Sequence, residues 1–365
     1  MKVAIVHDYL KEYGGAEKVL ENLVEIFPGA EIFTLVYFPS FLGPHKKRFE
    51  KLKVHTSFLQ NVPFAYKLIS PFRLVAPFAF KRFDFSKFDV IIVSQTGAYV
   101  PNSINKKNAV QICYSHTPPR YLYGFATARN WKKNVVMRAV GEVVNHLLRI
   151  ADYKASQNVD FFISNSENVK ERIKKFYRRD AKVIYPPVSV PKVKASKAGD
   201  YYLTGGRLAR PKHTDLIVET FANLDKELKV FGKGFAGYGE ELVELSGDKT
   251  EFLGEVKDED KFKLMRNAKA FIFASEDEDF GITPVEAMAL GTPVIAFRSG
   301  GALETVKEGK TGLFFDQLTV ESLTQALKKF ETMNWKREDV IKNSKKFEGS
   351  NFKKEIKEFV TSKGK

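Results

Sequence analysis

The stretch AFIFASEDEDFGITPVEAMALGTPVIAF, residues 270–297, contains a complete strand–helix–strand pattern. The apolar run at its start predicts a buried strand, and the run PVIAF at its end predicts a second one. Between them, Thr283 is a preferred N-cap residue, Pro284 suits the first helical position, and Gly291 suits the position after the last turn. These signals predict a helix of about two turns that begins at Pro284. Two strands joined by a helix are typical of a parallel sheet.

The same alternation of short apolar runs and helical patterns extends over the whole chain. In the first half, β-branched runs predict strands at 2–7, 31–36, 89–94, 109–115 and 161–166. In the second half, they predict strands at 201–206, 227–232, 250–255, 270–275, 293–297 and 311–315. Strands that alternate with helices in this way predict an α/β fold with parallel sheets.

A stretch rich in Pro and Lys and poor in apolar residues separates the two halves. The 365 residues of the chain favour about two domains. We therefore predict a Rossmann-like domain at 1–185, a linker at 186–200, a second Rossmann-like domain at 201–335, and a helical tail at 336–365 that could pack back on the first domain. Ligands of open parallel sheets bind beyond the carboxyl ends of the strands, so two such domains would face each other across one cleft.

Two acidic residues bracket the turn between strand and helix in the opening stretch. Glu278 could be a solvated loop acid, and Glu286 could merely close a capping box on Thr283. Seven residues separate the two glutamates, so both could also reach a ligand that lies on the turn. The free amides at the start of the helix attract phosphate or an electron-rich hydroxyl. The pair therefore favours a ligand site.

A glycine turn with two cations follows the first strand of the second domain. In TGGRLARPKHTD, 204–215, Gly205 and Gly206 allow a close approach of the backbone, while Arg207 and Lys212 add positive charge at the same edge. A guanidinium and an ammonium on a diphosphate would neutralise a departing leaving group. The alternative is an ordinary solvated turn before a helix.

Two further candidates follow strands of the first domain. Gly14 and Gly15 lie between the first strand and a helix, where they form either a simple turn or a backbone cradle for donor phosphates or the incoming acceptor. They lack the complete pattern of a dinucleotide or P-loop motif. His116 comes directly after a strand and could hydrogen-bond a substrate hydroxyl, although most single histidines do not.

Patterns for other chemistries are missing from the sequence. It contains no HExxH, no CxxC and no spaced Asp-x-Asp at a strand end, so we expect no metal site. Cys113 is the only cysteine, which excludes a disulfide framework within the chain and favours a reducing compartment. The residues after Met1 do not resemble a signal peptide, and no apolar run is long enough to cross a membrane.

The positive charge is concentrated in one region. The formal net charge is +15, and residues 51–150 contain 15 Lys and Arg against 3 Asp and Glu. The same region is rich in Phe, which suggests binding to an anionic membrane, a phosphorylated lipid or nucleic acid. The alternative is that Phe64, Phe72, Phe78 and Phe80 belong to the core. Nucleic acid is not expected, because no fold motif or repeated aromatic platform for it is present.

The segment EDFGITPVEAMALGTPVIAFRSGGALETVKEGKTGLFF, 278–315, resembles the donor-binding signature of glycosyltransferase family 4, whose members are retaining enzymes with the GT-B fold. Glu278 and Glu286 match the family's E-x7-E pattern, and Arg207 and Lys212 match its Arg and Lys. The segments HDYLKEYGGAEKVLENL, CYSHTPPRYLY and FFISNSENVKERIKKFY are similar to the WbaZ-like mannosyltransferase branch of O-antigen and surface-glycan assembly.

The resemblance implies a role for each matching residue. Glu286 would bind the ribose hydroxyls of a nucleotide sugar, Glu278 would contact the transferred sugar near its anomeric carbon, and His116 would touch that sugar from the first domain. Arg207 and Lys212 would stabilise the diphosphate. The remaining binding positions are the base-side loop and the helix start: Glu255, Val256, Phe280, Gly281, Ile282 and Thr283. The first domain would bind the acceptor and the second the nucleotide sugar.

The sequence thus leads to a hypothesis of metal-independent hexosyl transfer with retention, from GDP-mannose to a lipid-linked or surface glycan. The enzyme would be cytoplasmic and attached to the inner face of the membrane through region 51–150. The alternatives are another donor such as UDP-glucose or UDP-N-acetylglucosamine, or a protein that binds sugar nucleotides or nucleic acid without catalysis.

Overall fold

The computed structural model describes residues 1–125, 135–191, 199–234 and 237–364, and of residues 135–140 it describes the backbone alone. Residues 192–198 of the predicted linker and residues 126–134 of the basic region lie outside these ranges. The described chain forms two compact units. The first comprises residues 1–125, 135–187 and 349–364, and the second comprises the described residues between 188 and 348.

The first unit is built on a seven-stranded parallel sheet with the order β3-β2-β1-β4-β5-β6-β7. Its strands are β1 Val3–His7, β2 Glu31–Thr34, β3 Val54–Thr56, β4 Val90–Gln95, β5 Val110–Ser115, β6 Phe161–Ser164 and β7 Ala181–Val183. All residues of β1 and β4 are buried, as expected for central strands of a sheet that is covered on both faces. The strands predicted in this half correspond to β1, β2, β4, β5 and β6.

The second unit is built on a six-stranded parallel sheet with the order β10-β9-β8-β11-β12-β13. Its strands are β8 Tyr201–Leu208, β9 Glu227–Gly234, β10 Thr250–Gly254, β11 Phe271–Phe273, β12 Val294–Phe297 and β13 Gly312–Phe315. All six strands predicted in this half are present. The α/β fold with two parallel sheets is therefore confirmed.

Helices connect the strands. In the first unit they are α1 Gly15–Ile26, α2 Ala76–Lys81, α3 Val135–Gln157 and α4 Glu167–Tyr177, with α12 Gly349–Lys363 from the chain end. In the second unit they are α5 Thr214–Ala222, α6 Tyr238–Glu244, α7 Asp258–Asn267, α8 Ile282–Ala289, α9 Ala302–Thr305, α10 Val320–Glu331 and α11 Arg337–Ser344. None of the helices in the described ranges is both long and apolar enough to cross a membrane.

The predicted start of helix α8 is wrong by two residues. The helix begins at Ile282 with Gly281 as its N-cap, because Gly281 adopts a φ of 88° and turns the chain into the helix early. Pro284 is tolerated inside the first turn because the first four amides of a helix have no intrahelical acceptor. Thr283 is consequently not the N-cap, and Glu286 cannot close a capping box with it. Gly291 has a φ of 84° and follows the helix as predicted.

The edge strands β3 and β7 have no counterpart in the sequence prediction. Each is only three residues long, and neither has the continuous burial of the central strands. Short edge strands lack a long β-branched run because one side of the strand meets no neighbour. They form here because β2 and β6 present unpaired backbone groups to them.

The last helix of the chain belongs to the core of the first unit. Phe352, Ile356 and Val360 of α12 are each at most 2% exposed and pack in one cluster with strands β1, β4 and β5. These positions recur at helical spacing, so they form one apolar face. Helix α11, which precedes it, packs instead on α8, and its Asn343 donates to the Thr305 carbonyl at the end of α9 at 2.7 Å.

Candidate functional site

The strand order of the second unit fixes where a ligand can bind. From β8 the chain proceeds to β9 and β10 on one side, and then continues with β11 on the other side of β8. The connections after β8 and after β11 therefore leave in opposite directions and open a crevice at their carboxyl ends. Gly205–Arg207 belong to the carboxyl end of β8, and the acidic loop 275–281 follows β11. The switch point thus brings together the two segments that the sequence singled out.

The two glycines near the end of β8 have positive φ values, and close packing leaves no room for a side chain at Gly205. Gly205 and Gly206 have φ values of 157° and 120°. A Cβ at Gly205 would lie 2.3 Å from the carbonyl oxygen of Phe231, so no side chain fits there. A Cβ at Gly206 would lie 3.7 Å from the hydroxyl oxygen of Thr283, which shows that this strand end borders the start of α8. The predicted close approach of the backbone agrees with these contacts, but the predicted turn is wrong, because Gly205–Arg207 continue β8 and pair with β9.

Lys212 and Glu278 form an ion pair at the centre of the site. They are 66 residues apart in the sequence. The same oxygen of Glu278 accepts a hydrogen bond from the hydroxyl of Ser275 at 2.7 Å. The Glu276 amide also donates to the Pro211 carbonyl at 3.0 Å, which ties the two loops together. Lys212 is held beside the acidic loop by these contacts, yet its side chain is 31% exposed and accessible to a ligand.

A second glycine pair, Gly300 and Gly301, packs against the backbone of the acidic loop. The Gly301 amide donates to the carbonyl of Glu278 at 2.8 Å. A Cβ at Gly300 would lie 2.3 Å from that carbonyl oxygen, and a Cβ at Gly301 would lie 2.4 Å from the Cα of Phe280. This pair is not among the residues predicted from the sequence. The signal that could have found it is its position directly after β12, which is a strand end like the others.

Glu286 lies on the buried face of α8 and has its own cation. Its carboxylate is 3.1 Å from the ammonium of Lys261 on α7, and both side chains are largely buried. Glu278 and Glu286 therefore have different cations, and they approach the site from the loop and from the helix respectively. The sequence analysis did not identify Lys261, because nothing in the local pattern of α7 distinguishes it from the other lysines of that helix.

The remaining predicted residues of the second unit lie around this centre. Arg207 is exposed at the end of β8. Phe280 is buried and packs edge-on against Phe347 at 5.2 Å, so it contributes to the support of the loop. Glu255 is 71% exposed and lies 3.7 Å from Lys233, and Val256 next to it is half-buried. These two follow β10 at the sheet edge, two strands away from β8.

The first unit has an equivalent switch point between β1 and β4. In the register of these strands His7 lies beside Ser94, and β5 on the other side of β4 leads into His116. The hydroxyl of Ser94 is 3.1 Å from Nδ1 of His7 and 3.1 Å from Nε2 of His116. Burial, with the nearby charge of His7, lowers the pKa of His116 to about 3. His116 is therefore a neutral imidazole at neutral pH.

Gly14 and Gly15 lie at the N-terminus of α1, and Gly14 is its N-cap. The Gly14 amide donates to Glu17 Oε2 at 2.8 Å, and Glu17 Oε1 is 3.4 Å from Nε2 of His7. The predicted glycine turn is thus connected with the histidines through Glu17. His7, Glu17 and Ser94 were missed, although the strand-end rule that identified His116 applies equally to His7.

The Phe-rich part of region 51–150 is divided between core and surface. Phe72 and Phe80 are buried, whereas Phe64 is 68% and Phe78 is 52% exposed. The exposed rings lie next to cations, with Lys67 over Phe64 at 5.8 Å and Arg82 over Phe78 at 4.5 Å. Phe58 joins Phe78 in an edge-on contact at 6.2 Å. We call this part of the chain the basic aromatic segment, residues 58–82.

Metal ligation was tested within the described ranges of the chain. No group of three or more His, Cys, Asp or Glu side chains there is arranged to hold a metal ion. The expectation of metal-independent chemistry stays a prediction, because a metal could also arrive with a substrate.

Two family models match the chain in succession. The model for Glycosyltransferase Family 4 matches residues 13–191, and the model for Glycosyl transferases group 1 matches residues 189–347. The boundary between them falls at the boundary between the two units.

Individual proteins show the same relationship. The alpha-1,3/1,6-mannosyltransferase ALG2 of Dictyostelium discoideum is 26% identical, over 90% of this chain and 89% of that protein. The mannosylfructose-phosphate synthase of Agrobacterium fabrum is 33% identical, over 34% of this chain and 31% of that protein. Among solved structures, Anabaena Alr3699/HepE in complex with UDP-glucose is 17% identical and superposes with a TM-score of 0.70, over 99% of this chain and all of the other. That likeness shows a shared fold.

Proposed function

Because the chain belongs to glycosyltransferase family 4, we propose that it transfers mannose from GDP-mannose to a lipid-linked or surface glycan, with retention and without a metal. The choice of mannose is supported by two relatives, a mannosyltransferase that matches nearly the whole chain and a mannosylfructose-phosphate synthase that matches a third of it. A sister donor such as UDP-glucose or UDP-N-acetylglucosamine is the alternative, since the base and the sugar are selected by loops.

The observation that carries the proposal is the Lys212–Glu278 pair at the switch point of the second unit. Lys212 follows β8, in which Gly205 leaves no room for a side chain and Gly206 borders Thr283 at the start of α8. A diphosphate placed there would meet the ammonium, the guanidinium of Arg207 and the free amides of Ile282 and Thr283. Such a set of fixed donors is suited to a leaving group whose negative charge grows as the bond breaks.

For the other residues we propose the roles that the resemblance to the family implies. Glu286 is held by Lys261, and its carboxylate would accept hydrogen bonds from the ribose hydroxyls. Glu255 and Val256 at the exposed end of β10 contact the base. In the first unit, Gly14 and Gly15 offer backbone amides to the donor phosphates or to the acceptor, and His116 contacts a hydroxyl of the sugar.

The reaction itself breaks the bond between the anomeric carbon and the phosphate oxygen. The acceptor oxygen forms its bond to the anomeric carbon on the same face, and its proton passes to the departing phosphate oxygen. In this proposal Glu278 stabilises positive charge on the sugar ring, while Arg207 and Lys212 stabilise the diphosphate. Each preorganised donor of this kind lowers the barrier by about 3 kcal/mol.

The test of this site uses Arg207→Ala and Lys212→Ala in a transfer assay with a short lipid-pyrophosphate acceptor, read by mass. We expect kcat to fall by about 10²- to 10³-fold in each variant. Arg298→Ala is the matched control, because Arg298 is a partly exposed cation of the same unit that pairs with Glu308 and Asp316. Full turnover in both site variants would remove the proposed leaving-group site.

The identity of the donor is tested by thermal shift with a panel of nucleoside diphosphates. A ligand that binds the folded state raises the melting temperature according to its concentration relative to Kd. We expect GDP to give the largest shift and Glu286→Ala to abolish most of it. A larger shift with UDP would contradict GDP-mannose as the donor and indicate a UDP-linked sugar instead. The proposed binding residues would stay the same.

Membrane attachment is proposed for the basic aromatic segment. Its exposed rings Phe58, Phe64 and Phe78 supply apolar area, and Lys67 and Arg82 lie over these rings. Cations near an anionic bilayer contribute about 1 kcal/mol each, and aromatic rings insert at the interface. This arrangement would place the enzyme on the cytoplasmic face, beside a lipid-linked acceptor.

Co-sedimentation with vesicles tests the attachment. We expect binding to anionic vesicles that weakens with salt, and weaker binding for Phe64→Ser and Phe78→Ser. Leu303→Ser is the control, because Leu303 is 51% exposed in the second unit. Equal recovery with neutral vesicles, or the same loss in all three variants, would contradict the proposal.

A further inference from the structure

A line of hydrogen-bonding groups crosses the switch point of the first unit. It runs from Glu17 Oε1 to His7 Nε2 at 3.4 Å, from His7 Nδ1 to Ser94 Oγ at 3.1 Å, and from Ser94 Oγ to His116 Nε2 at 3.1 Å. The four side chains come from α1, β1, β4 and the loop after β5. Each is at most 9% exposed, so water does not compete for these contacts.

We propose that Glu17, His7 and Ser94 are positioning residues that fix the tautomer of His116, with its proton on Nε2 and its Nδ1 as a hydrogen-bond acceptor for a substrate hydroxyl. Only the identity of that hydroxyl, on the transferred sugar or the acceptor, rests on the proposed function.

The direction of the line follows from its fixed end. At pH 8, where an ordinary imidazole is neutral, Nε2 of His7 must carry the hydrogen that faces Glu17, because a carboxylate can only accept hydrogen bonds. Nδ1 of His7 then has a lone pair and accepts from the hydroxyl of Ser94. Having donated its single hydrogen, Ser94 can only accept from His116, and Nε2 of His116 must carry a hydrogen.

The electrostatics of the two ends agree with this direction. Glu17 accepts from the Gly14 amide at 2.8 Å at the N-terminus of α1, where the helix dipole favours negative charge. The lowered pKa of His116 keeps its ring neutral, so a hydrogen on Nε2 leaves Nδ1 bare. Within the described part of the chain, no group hydrogen-bonds to that nitrogen.

The tautomer of His116 decides whether its Nδ1 accepts a hydrogen bond from a ligand or donates one. A ring with a hydrogen on Nδ1 would donate to a ligand oxygen, whereas the assigned tautomer accepts from a hydroxyl. The line therefore selects a ligand that presents O–H rather than C=O or phosphate oxygen to His116. A sugar or an acceptor glycan presents many such groups.

Nitrogen NMR of the histidine side chains tests the assignment directly on the wild-type protein. At pH 8 an ordinary imidazole is neutral, and the protonated and bare nitrogens of a neutral ring have well-separated shifts. The signals are assigned by substituting one histidine at a time. We expect both His7 and His116 to carry the hydrogen on Nε2. A hydrogen on Nδ1 of His116 overturns the proposal without any variant having to fold.

Glu17→Gln should reverse the direction of the hydrogen bonds that link residue 17, His7, Ser94 and His116, without removing any of them. The amide oxygen of the new side chain must serve the Gly14 amide, so its NH₂ group would face Nε2 of His7. His7 then donates through Nδ1 to Ser94, Ser94 donates to Nε2 of His116, and the hydrogen of His116 moves to Nδ1. Glu25→Gln is the control, because Glu25 lies on the same helix with half of its side chain exposed and pairs with Lys353. Unchanged tautomers in Glu17→Gln would overturn the proposal.

Kinetics connect the tautomer with the substrate. We expect kcat/KM to fall about tenfold in Glu17→Gln, which corresponds to the loss of one hydrogen bond in the transition state, and to stay unchanged in Glu25→Gln. Ser94→Thr keeps the hydroxyl and should retain the wild-type tautomers, whereas Ser94→Ala should not. If the tautomer of His116 changes in Glu17→Gln as expected but the wild type transfers no sugar, the proposed function is refuted. The assignment of the hydrogen-bonded residues would still hold. If the tautomer of His116 changes in Glu17→Gln but kcat/KM does not, His116 does not accept a hydrogen bond from a substrate hydroxyl.

Discussion

Two buried carboxylates of this protein lie in opposite electrostatic environments. Glu286 faces the ammonium of Lys261 at 3.1 Å. Asp152 in the first unit accepts instead from the hydroxyls of Tyr123 and Tyr177, at 2.8 and 2.9 Å. Burial raises the pKa of Asp152 to about 7, although the two hydroxyls lower it. A charge on Glu286 is thus compensated by a cation, whereas a charge on Asp152 costs free energy.

Removing the cation of Glu286 should destabilise the second unit. Lys261→Met leaves a buried carboxylate without its partner, and we expect a loss of roughly 3 kcal/mol in the free energy of unfolding. The double variant Lys261→Met with Glu286→Gln should recover most of that loss, since the buried charge of Glu286 is then removed and Asp258, the other partner of Lys261, is half-exposed to water. Urea unfolding of both variants measures the difference. Equal instability in the single and double variants would show that the ion pair itself is not the cause.

Asp152 should make the first unit less stable as the pH rises. Its folded pKa of about 7 lies above the value of about 3.9 for an unfolded aspartate. The penalty is therefore absent below about pH 4, grows as the unfolded state loses its proton, and is complete above about pH 7. Between pH 5 and pH 8 we expect a loss of about 3 kcal/mol.

Asp152→Asn has no carboxyl to titrate and should remove most of this pH dependence. Melting temperatures of the wild type and the variant at pH 5 and pH 8 measure it. The same downward shift in both proteins would assign the pH dependence to another group.

At the scale of elements, the acidic loop is positioned by the turn after β12 rather than by its own sequence. Gly301 donates to the Glu278 carbonyl, and Gly300 adopts a φ of 54° directly against it. Asp277 has a φ of 52° and is one of the non-glycine residues in the left-handed region. Its amide donates to Ser299 at 3.1 Å, which holds this conformation. Loop and turn therefore form one unit of structure that presents Glu278 to Lys212.

Gly300→Ala should disrupt the donor site by moving the loop. The new Cβ would lie 2.3 Å from the Glu278 carbonyl oxygen, so the loop must shift. We expect nucleoside diphosphate affinity to fall by more than about tenfold, or at least about 1.4 kcal/mol. Gly309→Ala is a matched control, because Gly309 also has a positive φ of 74° but its Cβ would meet nothing closer than 4.0 Å.

Calorimetric titration with GDP measures both variants. If both lose affinity equally, backbone strain rather than the contact with Glu278 is responsible.

At the scale of the whole molecule, the chain completes its first unit only at its end. Helix α12 contributes Phe352, Ile356 and Val360 to the core beneath β1, β4 and β5, and the ring of Phe352 packs edge-on against Tyr114 at 5.7 Å. A segment 160 residues or more away in sequence is thus required for the first sheet to be covered. Contacts of such long sequence separation make the stability of the first unit depend on the C-terminus.

Phe352→Ala should loosen the first unit selectively. Truncation of a fully buried Phe costs about 3–5 kcal/mol. Hydrogen exchange followed by mass spectrometry should show faster exchange in β1 and β5 and unchanged exchange in β12. Lys357→Ala, at an exposed position of the same helix, should change neither. Equally fast exchange in β12 would contradict the assignment of α12 to the first unit alone.

Local patterns were sufficient for most of the architecture. Apolar and β-branched runs identified β1, β2, β4, β5, β6 and all six strands of the second sheet. The runs are nearly continuous in central strands such as β1 and β4, because these are buried on both faces. The strand-end rule then identified Lys212, Glu278 and His116. The start of α8 was misplaced because the φ of Gly281 depends on the packing of the loop, and the preference of Thr283 for N-caps was the weaker influence.

The sequence by itself thus determined the two α/β sheets and the glycine, acidic and basic segments at their strand ends, because burial and turn chemistry act on neighbouring residues. Only the tertiary structure decided which charges pair, as in Lys212 with Glu278 and Lys261 with Glu286, which Phe residues are exposed, and that α12 completes the first unit. These partners are 25, 66 or more residues apart. The order of strands in a sheet brings them together, and that order is set by contacts between distant segments that no local pattern encodes.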